Sequence, residues 1–365
     1  MLNSQRKVVV AMSGGVDSSV AAALLVEQGF SVTGMMLKLW SDDCDQAENS
    51  CCPSEAISQA RQVANILGIP FYILDFQEIF KQMVVDQFIN SNKLGLTPNP
   101  CYLCNQKIRW GEFLNRVLDS GADLFSTGHY AQIDFFEGKY RLRKGIDASK
   151  DQSYVLSGLN QNQLSHSIFP LGKYHKTEVR ELARNYKLPV AEKHDSQDLC
   201  FVGKSGYREF LKRYSPESFV SGSFRSKNGE FVGTHEGLAN YTIGQRKGLG
   251  SGNAEPVYVI EKQIETNEIV VGPSSELGKN QFKVNYLNWI SGEMPAIPFN
   301  CDVKIRYKAP AVNAQVILEN GTSVLVWVKS SLRDVTPGQI AVFYQEDAVI
   351  GSGVIQSASS RGEEL

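Results

Sequence analysis

The chain has 365 residues, 42% of them hydrophobic and 21% charged, and a formal net charge of −2. That length allows two or three domains with proper cores, and the composition is that of a globular protein rather than a disordered, collagenous or disulfide-stapled one. The near-neutral balance excludes global charge as the means of attracting nucleic acid, so such a partner would need local patches, and no apolar run is long enough to span a bilayer.

Residues 8–12, V-V-V-A-M, read as a buried strand, and the turn Ser13-Gly14-Gly15 leads into an amphipathic helix opened by Asp17. A strand feeding a helix through glycines aims unpaired backbone N–H groups and the positive helix end at one spot, and glycine lets the backbone approach an anion closely. The hydroxyls of Ser13, Ser18 and Ser19 add donors, so a phosphate chain is the natural ligand; the alternative is an ordinary tight turn. The G-x-x-x-x-G-K-[ST] loop is absent.

Further along, strands are predicted at 32–37, 71–75 and 124–127, and helices at 54–67, 79–94 and 105–120. This alternation predicts a doubly wound parallel α/β sheet, with ligands beyond the carboxyl ends of its strands. Residues 42–53 are acidic, cysteine-bearing and aperiodic. They read as a surface loop, with a metal site at Cys44, Cys51 and Cys52 as the lesser alternative. A hairpin follows around Glu137-Gly138, with Lys139, Arg141, Arg143 and Lys144 either holding phosphates or forming a solvated charged face. Thr177 is expected to cap a helix, and another is expected at 206–213.

From about residue 219 short strands and turns take over. A hairpin is expected around Thr266-Asn267, and period-two segments at 303–307, 314–318, 324–328, 340–344 and 348–355 predict a small barrel or sandwich. The expected division is a nucleotide-binding catalytic domain at 1–213, a small β-rich domain at 214–277, a C-terminal β-barrel at 278–356 and a polar tail from there to 365.

Seven cysteines, Cys44, Cys51, Cys52, Cys101, Cys104, Cys200 and Cys301, are an odd number. Only seven residues precede the first predicted strand, which leaves no room for a signal or transit segment. A cytoplasmic location is therefore expected, where thiols stay reduced. In T-P-N-P-C-Y-L-C-N, residues 97–105, Cys101 and Cys104 form C-x-x-C, a spacing common to redox pairs and metal ligands. Cys104 is expected at a helix start, where a thiol's pKa falls. Cys200, in H-D-S-Q-D-L-C-F-V, is expected at a strand edge and would by itself read as a core residue.

The loop S-G-G-V-D-S resembles the pyrophosphate loop of ATP-pyrophosphatases. With T-P-N-P-x-x-x-C-N, T-G-H-Y-A at 127–131, K-D-Q-S-Y at 150–154, D-S-Q-D-L-C-F at 195–201 and Y-T-I-G-Q-R-K-G-L-G at 241–250, the chain resembles the tRNA-specific 2-thiouridylase family along nearly its whole length. The resemblance implies adenylation by ATP of the C2 oxygen of the tRNA wobble uridine. Sulfur then replaces that oxygen, giving 2-thiouridine, AMP and pyrophosphate, with Mg²⁺ expected to assist. It implies Cys200 as the persulfide carrier, loaded by a sulfur-carrier or cysteine desulfurase protein, and Cys104 as the second catalytic cysteine. ATP would be bound by Ala11, Met12, Ser13, Gly14, Gly15, Val16, Asp17, Ser18, Leu37 and Gly128. The target base would be met by Asn99, Pro100 and Cys101, and tRNA by Lys150, Asp151, Gln152, Arg306 and Tyr307.

Many family members have aspartate where this chain has Cys101, so an acid–base role does not carry over. A thiol substituting for the carboxylate is one reading; Cys101, Cys104 and Cys200 holding an iron–sulfur cluster is another, not favoured. The competing functions are another ATP-pyrophosphatase, amidating or lysidine-forming, which needs no cysteine pair, and a non-catalytic RNA-binding protein.

Overall fold

The computed structural model describes residues 6–42, 54–194, 199–203, 205–249 and 256–359. Its N-terminal sheet contains β1 (Lys7–Ala11), β2 (Ser31–Lys38), β3 (Phe71–Asp75) and β4 (Leu124–Ser126). The hairpin β5 (Ala131–Phe136) and β6 (Lys139–Lys144) follows, and then β7 (Ser167–Ile168). The sheet order is β3-β2-β1-β4-β7 with every pairing parallel, as the β-α alternation predicts. Val9 packs into one core cluster, and Val8 and Val10 into another, so both faces of β1 are covered. The chain moves outward from β1 to β3 and then returns to β4 on the other side. The switch point of the sheet therefore lies between β1 and β4, where a crevice for ligands forms. The two-residue strand β7 is too short to leave a pattern in the sequence.

β8 (Gly222–Arg225), β9 (Phe231–His235), β10 (Tyr258–Gln263) and β11 (Glu268–Gly272) form a small sheet in the order β10-β11-β8-β9. Beyond it lie β12 (Lys279–Trp289), β13 (Phe299–Lys304), β14 (Val312–Asn320), β15 (Ser323–Leu332), β16 (Ile340–Gln345) and β17 (Ala348–Ser359). They pair in the order β12-β15-β14-β13-β16-β17, and β17 pairs back onto β12, which closes a six-stranded antiparallel barrel. Closure leaves no open edge. Strand β12 escapes a period-two reading because its pairing with β17 slips at Lys283/Val284 and again between Asn285 and Asn288. The tail expected from 357 is corrected as far as Ser359. Ser357, Ala358 and Ser359 pair with Lys283, Phe282 and Gln281, and this cross-strand pairing outweighs their polar character.

The barrel is packed against the first domain. On β16, Ala341 and Phe343 point into the barrel, whereas Ile340, Val342 and Tyr344 join the cluster that lines one face of the parallel sheet. Hairpin β5–β6 extends the barrel sheet through Ala348 opposite Arg143. Its basic residues serve that junction. Arg141 pairs with Asp134 at 2.6 Å, Arg143 bridges Asp134 and Asp347, and Lys139 reaches Glu293 at 2.7 Å. These charges pair with one another at the partly exposed surface, as the solvated-face reading expects.

Buried hydrogen bonds complete the junction. The Tyr154 hydroxyl donates to Ile340 O at 2.8 Å, and Tyr102 Oη lies 3.2 Å from Ser352 Oγ. Removing the fully buried Tyr154 hydroxyl leaves the Ile340 carbonyl without that donor. Tyr154→Phe is expected to lower unfolding stability by about 1–2 kcal/mol, read as an earlier midpoint in urea. An unchanged midpoint would show that the contact contributes nothing.

Candidate active site

Helix Val16–Glu27 begins immediately beyond β1, with Gly15 as its N-cap and no side-chain cap on its first N–H groups. Those donors stay available to an anion, and the helix end favours negative charge. Ser13 N donates to Ser18 Oγ at 3.1 Å and Ser19 Oγ donates to Gly15 O at 2.8 Å, so the loop is braced internally. Gly14 has φ +71°, and a Cβ there would sit 2.4 Å from Ala56 O. A Cβ on Gly128, just past β4, would lie 2.6 Å from Ser18 N. The two strand ends at the switch point thus touch through glycine. Ala11 ends β1 and Met12 follows it, with Met12 N bonded to Met35 O at 2.8 Å, and Leu37 lies near the end of β2.

Several residues that the sequence reading passed over hold this loop. Lys176 Nζ contacts both Asp17 carboxylate oxygens, at 2.6 and 2.8 Å, and the Tyr130 hydroxyl donates to Asp17 Oδ1 at 2.8 Å. Lys193 Nζ donates to Gly14 O at 3.1 Å. Lys176 opens helix Lys176–Asn185, whose N-cap is His175 in a capping box with Glu178, not Thr177. The H-x-x-E spacing was the available signal for that helix start.

The thiols lie nearby. Asn99 caps the first turn by accepting from Tyr102 N at 3.1 Å, Pro100 is buried at the first helical position, and Cys101 follows. Cys104 opens the π-helical stretch Cys104–Phe113, which continues helix Pro100–Leu103. The lowered pKa expected for Cys104 is therefore corrected. Its backbone N–H is already bonded within the helix, and the thiol is buried, so desolvation pushes it up to about 12, with Arg109 partly opposing. Cys101 opens to solvent, yet enough protein walls its thiol that desolvation pushes it up to about 11.

Cys200 lies on a turn rather than a strand edge and is exposed rather than part of the core. The next residue, Phe201, is buried against Phe80, Phe88 and Phe210, which fixes the turn. Cys101 and Cys104 each feel the charge of Cys200 and of Arg109, so the fold brings Cys200 near a thiol pair that is distant in sequence. All three are reduced, as is Cys301, which is buried inside the barrel. Among the described residues no group of three or more His, Cys, Asp or Glu is placed to hold a metal ion. Cys44, Cys51, Cys52 and Asp195 to Asp198 lie outside the described residues.

Arg109 joins the thiols to the loop. One of its N–H groups donates to Asn105 Oδ1 at 3.0 Å and lies 3.3 Å from His129 Nε2. Arginine only donates, so His129 Nε2 accepts and its Nδ1–H points to Thr127 Oγ1 at 2.7 Å. Burial and the adjacent guanidinium hold His129 well below its ordinary pKa, and it stays neutral. The signal for Arg109 was its position five residues after Cys104, one turn along a π-helix.

Among the expected RNA contacts, Tyr307 stands near this cluster. Its ring is 6.3 Å from that of Tyr154, and Asp151 and Cys101 act on its hydroxyl after burial. Arg306 donates to Thr336 Oγ1 at 2.6 Å and to Ile243 O at 3.2 Å, and its charge acts on the Tyr154 hydroxyl. Asp151 is buried and accepts from Gly145 N, Ser153 N and Ser153 Oγ, while Gln152 Oε1 accepts from Tyr130 N. Both brace the loop that carries Lys150.

Iodoacetamide at pH 7 is expected to modify Cys104 on the order of 100-fold more slowly than Cys200, because burial shields it and its raised pKa leaves little thiolate. Peptide mass mapping over time checks this, and equal rates would contradict the described burial.

Profile comparison matches residues 6–204 to a domain described as "tRNA methyl transferase HUP domain". Residues 208–273 match a "tRNA methyl transferase PRC-barrel domain", and residues 279–355 an "Aminomethyltransferase beta-barrel domain". A protein named tRNA-specific 2-thiouridylase MnmA 1, from Thermoanaerobacter pseudethanolicus, is 44% identical over 97% of this chain and 99% of its own. Proteins named tRNA-specific 2-thiouridylase MnmA from Chloroflexus aurantiacus and Heliobacterium modesticaldum are 46% and 45% identical, each over 95% of this chain and over 98% and 92% of theirs. With three thiols set beside a phosphate-type loop, and with likeness of this degree from end to end, the chain belongs to the tRNA-specific 2-thiouridylase family.

Proposed function

We propose that this protein converts the wobble uridine of tRNA to 2-thiouridine, using ATP and a persulfide-bearing partner protein. The observation that supports the proposal is the Arg109 bridge, whose guanidinium acts on Cys101 and Cys104 and lies 3.3 Å from Nε2 of His129, the residue after Gly128. ATP enters as substrate. The uncapped N–H groups at the start of helix Val16–Glu27, with Ser13 and Ser18, hold its phosphates, and Ala11, Met12, Leu37 and Gly128 line the approach. The uridine C2 oxygen attacks the α-phosphorus, forming an O–P bond as the bond to pyrophosphate breaks. Mg²⁺ carried with the triphosphate would neutralise charge on that leaving group.

Sulfur held as a persulfide on Cys200 then displaces AMP. Cys104 attacks Cys200 Sγ, either before transfer, releasing sulfide that attacks C2, or afterwards, freeing the sulfur already bonded to C2. In each case a Cys104–Cys200 disulfide forms and AMP leaves with the former C2 oxygen. Asn99, Pro100 and Cys101 sit at the helix start facing the base, and Lys150 and Tyr307 are the RNA contacts whose placement fits best. An amidating or lysidine-forming reaction would leave the thiol cluster without a use.

Purified protein given unmodified tRNA, ATP and a persulfide donor is expected to form 2-thiouridine, AMP and pyrophosphate in equal amounts. Nucleoside mass spectrometry and pyrophosphate release measure this. ATP cleavage without thiolated nucleoside would refute the reading.

A further inference from the structure

The C-x-x-C pair has a member that the reaction above leaves chemically idle. Cys101 is exposed, its carbonyl accepts the N–H of Cys104, and the two residues share one tight helical turn. Residues three apart in such a turn have α-carbons about 5–6 Å apart, within the range a disulfide spans. Cys200, the other exposed thiol, acts on both. Each catalytic cycle deposits a disulfide between buried Cys104 and Cys200, and the next sulfur cannot be loaded until Cys200 is free again.

We propose that Cys101 is a resolving thiol, which moves the disulfide from Cys104–Cys200 to Cys101–Cys104 and so returns Cys200 to the sulfur donor. The inference rests on the thiolation reading above. Cys101 gives up its proton and attacks Cys104 Sγ. The Cys101–Cys104 S–S bond forms, the Cys104–Cys200 bond breaks, and Cys200 leaves as a thiolate that water solvates or that takes up the proton. No net oxidation occurs in this step. A soluble protein dithiol then reduces Cys101–Cys104, supplying two electrons and two protons and becoming a disulfide itself.

The surroundings favour this direction. Burial raises the pKa of both Cys101 and Cys104, so a disulfide removes the two groups least able to carry charge there. Cys200 is the exposed leaving group. Arg109 acts on both C-x-x-C thiols and eases the transient thiolate at Cys101. Once the bond has moved, it involves Cys101, whose residue opens to solvent although its thiol is partly walled, and leaves Cys200 accessible to the sulfur donor.

The test is one anaerobic turnover of the full-length enzyme, preloaded with persulfide at Cys200 and given ATP and tRNA. It is quenched with N-ethylmaleimide and mapped without reduction. The expected result in the native protein is an internal Cys101–Cys104 disulfide with Cys200 alkylated; Cys101→Ser should instead show Cys104 linked to Cys200. A protein dithiol such as reduced thioredoxin then drives repeated turnover, and the readout is the ratio of steady-state to first-turnover rate. A weaker base contact lowers both rates and cancels in the ratio. That ratio is expected to fall about tenfold in Cys101→Ser. Native enzyme holding only the Cys104–Cys200 bond, or a Cys101→Ser ratio equal to native, would overturn the proposal. A first turnover that yields no 2-thiouridine in native protein would instead sink the thiolation reading.

Discussion

Gly128→Ala is expected to lower AMP and pyrophosphate formation on the order of 100-fold while leaving the protein folded. The added methyl would sit 2.6 Å from Ser18 N and 2.7 Å from the Asp17 carbonyl carbon, both backbone atoms at the helix start. Either the β4 loop or the helix end must withdraw, and displacements near 1 Å at a reacting centre have effects of this size. The loss should fall on ATP cleavage, measured as pyrophosphate release with saturating tRNA. Persulfide loading at Cys200 should continue, because its turn is held by the Phe80, Phe88 and Phe210 cluster. Native rates of ATP cleavage would show that this close approach does not frame the nucleotide.

Cys200→Ser and Cys104→Ser are each expected to reduce 2-thiouridine formation at least 1,000-fold, but for different reasons that mass spectrometry separates. Cys200→Ser should lose the one-sulfur mass gain at that position. Cys104→Ser should keep the added sulfur on Cys200 and accumulate it, as the persulfide or as its disulfide with the C2 sulfur of tRNA, since the thiol that cleaves that S–S bond is missing. A serine hydroxyl at buried position 104 changes little volume, so a stability loss of about 1 kcal/mol is the most that should accompany it. Full thiolation by either variant would remove that residue from the mechanism.

How far the sequence carried these conclusions varied from element to element. The parallel sheet was legible because β1 to β3 are apolar runs bounded by glycines and helices, and local pattern alone determines such elements. The barrel was legible where its strands alternate evenly, and β12 was missed because bulges break its period. The state of Cys104 was misread for a different reason. Pro98 and Pro100 suggested a stiff loop with the helix starting at Cys104, but the helix starts at Pro100 and runs on through Cys104. Burial then outweighs any effect of the helix end on the thiol. The basic hairpin was ambiguous because Asp347, which takes up Arg143, lies 204 positions away.

By itself, the sequence determined the phosphate-type loop and the doubly wound sheet, because these depend on short-range spacing and residue chemistry, whereas the roles expected of Cys104 and Cys200 came from the family resemblance alone. Only the tertiary structure brought Cys200 near Cys101 and Cys104, set Arg109 beside Cys101, Cys104 and His129, and engaged Arg306 with Thr336 while leaving Tyr307 near the site. Those relations depend on which surfaces pack together across long stretches of chain. Desolvation, which controls the thiols, exists only once that packing is complete.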